Sequence, residues 1–116
     1  MSIIWRAHLK GTSHGFKSRN LDEPMSLEAL TAAQSCADEW YVSYADAQTC
    51  STLNEIVNFK FANGGAGALS CGDILLHIVN HKTYHRVYIA DMLYESGSRP
   101  PTIDLSVFLR DHPLQL

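Results

Sequence analysis

Two histidines four residues apart, His81 and His85, are the residues of this sequence whose type and spacing best suit chemistry. Residues four apart on an α-helix lie one turn apart on the same side, so the two imidazole rings would face a common point. Such a pair can hold one metal ion, and imidazole binds Zn²⁺, Ni²⁺ and Fe²⁺ alike. The same spacing also fits two hydrogen-bonded histidines in a protein core. The residues alone leave both interpretations open.

Residues 70–96 carry this pair and predict one long helix. Ser70 is a suitable N-cap, and Asp73 places a carboxylate in the first turn, where the helix dipole favours negative charge. Gly97 and the two prolines that follow it end the helix. One stripe of this helix combines apolar side chains with the two histidines, so we expect the stripe to face the protein interior. Its members are Ile74, Ile78, His81, His85, Ile89 and Met92.

Four further histidines lie outside the pair. His77 falls about 60° from the centre of the stripe, which predicts partial exposure, and His8 is expected at the surface. Either of them could still supply a third metal ligand, His8 from the same chain or from a neighbouring one. His14 and His112 lie in polar segments and are expected to be solvated.

Arg86 directly follows the second histidine of the pair. Its guanidinium could orient an anionic substrate by a forked contact. It could equally pair with a carboxylate, and we favour this structural role. The candidate carboxylates are Asp73, Asp91 and Asp104.

Composition argues against several classes of protein. The 116 residues suit a single domain, and a net charge of −3 without a basic run argues against nucleic-acid binding. The cysteines, Cys36, Cys50 and Cys71, are odd in number and form no Cys-x-x-Cys motif, so a reducing cytoplasm is the expected compartment. No apolar stretch has the length of a membrane span, and no membrane partner is expected.

The first half of the chain predicts two helices joined by a loop. Residues 1–10 suit a short helix that ends at Gly11, and residues 11–25 suit a polar loop. Residues 26–48 predict a second long helix, capped by Ser26. One face of this helix is apolar and should be buried. It holds Leu27, Leu30, Ala33, Ala37, Trp40, Tyr41 and Tyr44.

The segment before the histidine helix predicts a small β-hairpin. Residues 55–61 alternate with a period of two, as in a strand with one buried face. That face holds Val57, Phe59 and Phe61. Residues 63–65 are a turn signal, and residues 66–69 could return as the second strand. After the histidine helix, Asp104 can cap a short helical turn that packs back on the rest of the protein.

The chain resembles the DinB-like family of metal-binding four-helix bundles in two segments, LLHIVNHKTYHR and RPPTIDLSVFLRD. The first carries NHxxxHR, and the second adds two prolines, Asp-Leu and Phe-Leu-Arg at a matching distance. WRAHLKG near the start resembles the end of the family's second helix. The resemblance implies an all-α, DinB-like helical bundle over residues 1–116, with the hairpin before the histidine helix. The first helix and most of the second would be lacking, so the family's domain would be truncated at its N-terminus. An open alternative is that the natural chain begins upstream of Met1.

The resemblance also implies a metal site built from three histidines. His81 and His85 match the two ligands of the NHxxxH helix, whereas the third would fall just before Met1 and has no match. After Arg86, the usual Gly-Gln of the family is replaced by Val-Tyr. We therefore expect a divalent ion, Zn²⁺, Ni²⁺ or Fe²⁺, whose occupancy depends on how the third position is filled.

Several groups could supply the missing third metal ligand. His8, His77, another subunit or no residue at all could take the third position. Two imidazoles hold a metal less firmly than three, so the site could also be without metal.

Two functions follow from the resemblance. Characterised relatives include metal-dependent thiol transferases and isomerases, which implies a metalloenzyme with a small-molecule thiol as partner. The alternative is a non-catalytic, shortened family member that acts as a dimerising or partner-binding helical module. Two long helices and one short helix cannot enclose a four-helix core, so we expect a homodimer or a higher oligomer in either case.

Overall fold

A computed structural model of the protein describes residues 2–12, 25–61 and 64–113. Within them, the helices are α1 (Ser2–Lys10), α2 (Leu27–Asp46), α3 (Cys50–Leu53), α4 (Cys71–Glu95) and α5 (Leu105–Asp111). The strands β1 (Ile56–Lys60) and β2 (Ala66–Ser70) form an antiparallel hairpin. The predicted helical fold with one hairpin is confirmed. Most of the predicted loop, His14 and part of the hairpin turn lie outside the described residues.

Local signals set both ends of α4. At its start, the Ser70 hydroxyl accepts a hydrogen bond of 3.1 Å from the backbone N–H of Asp73, as the sequence predicts. At its end, Gly97 adopts a φ of 84°, a left-handed conformation that costs glycine little. Gly97 N–H donates to the Tyr94 carbonyl at 3.0 Å and Ser98 N–H to the Leu93 carbonyl at 2.9 Å. This Schellman motif satisfies carbonyls that would otherwise lack partners.

Caps also define the helices that precede the hairpin. The Ser26 hydroxyl accepts a hydrogen bond of 3.1 Å from the N–H of Ala29, so α2 begins where the sequence predicts. Helix α3 was not predicted, because four residues are too short to show an apolar period. Its signal is the capping box of Thr49 and Thr52, in which each side chain accepts from the other residue's backbone N–H.

The hairpin presents an aromatic side chain to the core across a glycine. Phe59 pairs with Gly67 in the strand register, and a Cβ on Gly67 would lie 2.7 Å from the Phe59 ring. Glycine therefore lets the ring fold across the partner strand. Phe59 is buried and Val57 is half-buried, as predicted, but Phe61 is exposed. The predicted buried face of β1 thus ends at Phe59.

The chain divides into two compact units, Met1–Ile78 and Val79–Leu116. The first unit contains a core in which α1, α2, β1 and the first two turns of α4 meet, and within it Ile74 is fully buried. The Trp5 ring meets the Phe59 ring edge-on, with centroids 5.0 Å apart. The cluster consists of Trp5, Ala37, Tyr41, Phe59, Ile74 and Ile78.

The apolar face of α2 is buried in part. Ala37 and Tyr41 lie in the core, and Trp40 packs against it. Leu27, however, is 79% exposed and Leu30 is also exposed. The prediction that the whole face is buried is therefore wrong for its N-terminal half, because no described element covers that end of the helix.

The second unit, Val79–Leu116, holds the rest of α4 and α5, and none of its described residues is buried. The predicted buried stripe of α4 therefore holds for Ile74 and Ile78 but is wrong for Ile89 and Met92, which are exposed. Helix α5 begins after Asp104, whose side chain makes no capping hydrogen bond.

A small polar network joins α2 to the start of α4. The Tyr44 hydroxyl lies 3.4 Å from the Cys71 sulfur, and the Cys71 thiol donates a weak hydrogen bond of 3.9 Å to Gln48 Oε1. Burial and the contact with Cys71 raise the pKa of Tyr44 to about 12. Burial also raises the pKa of Tyr41, although the Arg6 charge opposes this.

We expect Ile74→Ala to lower the free energy of unfolding by about 3 kcal/mol, because it leaves a cavity in the core. Urea denaturation followed by the fluorescence of Trp5 and Trp40 measures this change. Leu76→Ala is the matched control on the same helix, since Leu76 is exposed. The free energy of unfolding of Leu76→Ala should fall by less than about 0.5 kcal/mol. Equal losses for the two variants would contradict the core described above.

We also expect the stability of the protein to fall as the pH rises from 10 to 12. The raised pKa of Tyr44 means that folding favours the neutral phenol, so its contribution is complete below the ordinary tyrosine pKa of 10.0 and is lost towards about 12. Tyr44→Phe should therefore show a shallower decline in urea denaturation across this range. Tyr94→Phe, which changes an exposed phenol, is the control. An unchanged decline in Tyr44→Phe would refute the assignment.

Candidate metal centre

His81 and His85 meet on one side of α4. Their Nε2 atoms lie 2.8 Å apart, and their ring centroids are 4.4 Å apart at an angle of 75°. The helical spacing of four residues places the rings one turn apart, and both rings turn their Nε2 atoms towards the same point. In this hydrogen bond one Nε2 donates and the other accepts, so the rings are in complementary tautomers.

The separation of these nitrogens suits two ligands of one metal ion. With Zn–N bonds of about 2.0–2.1 Å and tetrahedral angles, two ligand nitrogens stand about 3.3 Å apart. The observed 2.8 Å differs from that value by about 0.5 Å, which small rotations of the side chains can supply. The two residues therefore fit part of a divalent metal site, and the hydrogen bond between them equally fits the second interpretation of the sequence, a hydrogen-bonded pair.

The pair lies at the surface and is flanked by an aromatic ring. His81 is half-buried and His85 is exposed, so the pair faces water on one side instead of a closed interior. The Tyr84 ring meets His85 edge-on at 5.6 Å and stacks on His81 at 6.3 Å. The phenyl ring can thus limit ring rotation and shield one side of the pair.

No third ligand accompanies the pair among the residues that the structure describes. Within them, no group of three or more His, Cys, Asp or Glu side chains could hold a metal ion. His112 lies at the end of α5, where its ring stacks on Phe108 at 4.6 Å. It is exposed, as predicted, whereas His14 falls outside the described ranges.

His8 and His77 lie in the first unit and pack on aromatic rings. The Trp5 centroid lies 5.3 Å from that of His8 and 5.1 Å from that of His77, and His8 also lies 4.9 Å from Phe59. Both histidines are half-buried, which agrees with the expectation for His77 and differs from the surface position expected for His8.

This aromatic–histidine cluster was missed by sequence reasoning. The spacing of Trp5 and His8 on α1 is a local signal that the two share a helix face. Phe59 and His77 join them through contacts between separate elements, for which a single sequence carries no local signal.

Arg86 and its neighbours lie in solvent. In the described part of the second unit, Arg86 forms no ion pair with Asp91 or Asp104, so the structural role favoured from the sequence is not seen for these two carboxylates. Tyr88, two residues after Arg86, is 56% exposed. Neither side chain closes over the histidine pair in this structure.

None of the described helices combines the length and the apolar character that crossing a membrane requires.

Comparison with known proteins adds a family assignment. The model of the DinB family matches residues 2–113, nearly the whole chain. No curated protein and no solved structure matches the chain. The family match covers both the hairpin-containing unit and the histidine helix with its proline-rich tail, so the chain belongs to the DinB family.

Proposed function

We propose that this protein is a DinB-family metalloprotein in which His81 and His85 hold a divalent ion, Zn²⁺, Ni²⁺ or Fe²⁺. The observation that carries the proposal is the convergence of the two Nε2 atoms at 2.8 Å. Neutral imidazoles are good ligands for these metals, and the i, i+4 spacing places both nitrogens on one side of the ion. Family membership supports the same site.

The chemistry proposed for this site is activation of a low-molecular-weight thiol for group transfer. When bound, a divalent ion supplies positive charge that favours the thiolate form of a thiol. The exposure of His85 leaves one side of the pair open for such a small molecule. The Tyr84 ring, which contacts both imidazoles, provides an apolar wall beside the opening. The free Cys36, Cys50 and Cys71 agree with a reducing compartment, and we propose the cytoplasm.

A non-catalytic role is the second candidate. The pair lacks a third ligand among the described residues, which favours a helical module that binds a partner without chemistry. In that case the histidines form a hydrogen-bonded surface pair, and their replacement leaves folding and assembly unchanged. Metal binding therefore separates the two candidates.

We expect protein purified without a histidine tag to bind about one Zn²⁺ or Ni²⁺ per chain, because two convergent imidazoles provide most of a site. His81→Ala should weaken binding more than about tenfold, since loss of a direct ligand costs at least as much as loss of an outer-shell partner. Isothermal titration with each metal and elemental analysis measure the affinity and the stoichiometry. His112→Ala is the control, as it removes an exposed histidine from another helix. Equal metal content in wild type and His81→Ala would rule out the proposed site.

A second experiment tests whether a small thiol binds to the metal ion of the proposed site. In the cobalt-substituted protein, addition of a small thiol should produce thiolate-to-cobalt charge-transfer absorption, because Co²⁺ occupies similar N-donor sites. Blocking the sulfur by methylation should abolish the band while leaving the cobalt spectrum of the protein unchanged. A thiol that fails to alter the spectrum at saturating concentration would exclude thiol binding at this ion, even if the metal site itself stands.

A further inference from the structure

Tyr84 lies between the two histidines in the sequence of α4, and its ring contacts both of them. It comes three residues after His81 and directly before His85, so the three residues span little more than one helical turn. At about 100° per residue, Tyr84 lies about 60° to one side of His81, and His85 lies about 40° to the other. His81 is therefore flanked on both sides, which agrees with its being half-buried while Tyr84 and His85 are exposed.

The rings of His81, Tyr84 and His85 form one aromatic cluster. The two imidazole planes are at 75° to each other. The Tyr84 ring is at 29° to the His81 ring and at 75° to the His85 ring, so it is close to parallel with one imidazole and close to perpendicular to the other. The corresponding centroid distances of 6.3 Å and 5.6 Å suit stacked and edge-on contacts between rings. Each ring thus meets the other two in a favourable orientation.

This cluster bears on how the histidine pair is held together. Convergence of the two Nε2 atoms at 2.8 Å requires both imidazoles to adopt particular rotamers at the same time. An exposed side chain otherwise samples several rotamers in water, and fixing it costs conformational entropy. A ring in contact with both imidazoles favours the rotamers that keep these contacts. It therefore reduces the entropy that is lost when a metal ion draws the two nitrogens together.

We propose that Tyr84 is a positioning residue for the histidine pair. Its ring, and not its hydroxyl, keeps the imidazoles in the convergent rotamers and so raises the affinity of the pair for a divalent ion. The effect on metal affinity rests on the proposed function, whereas the arrangement of the rings requires no ion. Tyr84 is 64% exposed, so its role is not to fill the core. Groups that orient metal ligands without touching the metal are a general means of tuning a metal site.

Isothermal titration of the full chain with Zn²⁺ tests the effect on affinity. We expect Tyr84→Ala to raise the dissociation constant about fivefold, because the ring contacts are lost. Tyr84→Phe keeps the ring and should stay within about twofold of the wild type. Tyr94→Ala is the matched control, with the same small effect expected, because Tyr94 is 65% exposed on the same helix, about 2.5 turns beyond His85. Circular dichroism verifies that all three variants keep their helices.

Nuclear magnetic resonance of the metal-free protein tests the ring positions directly. The ring carbons beside each Nε2 carry protons, so the close contact of His81 with His85 predicts a nuclear Overhauser effect between the two imidazoles. We expect this effect in the wild type and in Tyr84→Phe, and a weaker one in Tyr84→Ala. A tyrosine that merely supported the helix would not produce a difference that follows the presence of the ring.

The outcomes separate this inference from the proposed metal site. Equal Zn²⁺ affinity in the wild type and Tyr84→Ala would overturn the positioning role and leave the metal site standing. Equal weakening by Tyr84→Phe and Tyr84→Ala would also overturn it, because the hydroxyl would then be responsible. If the wild type binds no Zn²⁺, the metal site fails and the metal-free spectra alone test the positioning role. In every case, a nuclear Overhauser effect of equal strength in the wild type and Tyr84→Ala refutes that role.

Discussion

Burial of Ile74 and Ile78 beside Trp5, Tyr41 and Phe59 is the interaction on which the rest of the structure depends. Helical segments owe most of their stability to packing of an apolar face, and the first two turns of α4 obtain it here. The hairpin contributes through Phe59, whose ring reaches the core because its partner across the strands is a glycine. The start of α4 is thereby fixed both by this core and by the Ser70 cap.

Local chemistry explains which parts of this fold could be predicted from the sequence. Ser26, Ser70 and Gly97 act through hydrogen bonds and backbone conformation within a few residues, so the start of α2 and both ends of α4 could be predicted. Burial was harder to predict from the sequence than the helix ends were. The apolar period of α2 correctly identifies Ala37 and Tyr41, but it cannot show that Leu27 has no covering element. A periodic pattern indicates which side of a helix is apolar and carries no information about what packs against it.

The difference between local geometry and contacts between elements also explains why the pair His81 and His85 could be predicted, whereas the packing of His8 and His77 could not. The contact of His81 with His85 depends on helix geometry alone, so their spacing was sufficient to predict it. The packing of His8 and His77 on Trp5 requires α1 and α4 to approach each other, and His8 was expected at the surface for that reason. Family membership agrees with the histidine helix and its tail, whereas the chemistry of the pair rests on its own geometry.

For the metal binding proposed above, the short contact between the two imidazoles would have a kinetic consequence. The Nε2 that carries the hydrogen of this contact has no lone pair to offer, so its ring must first move that hydrogen to Nδ1. Such a tautomer change proceeds by exchange with water, and the exposure of His85 makes exchange easy at that ring. If the His85 Nε2 donates the hydrogen bond, its tautomer can therefore change quickly and a metal ion would bind rapidly. If the less accessible His81 Nε2 donates instead, the tautomer change at His81 would limit the rate of metal binding.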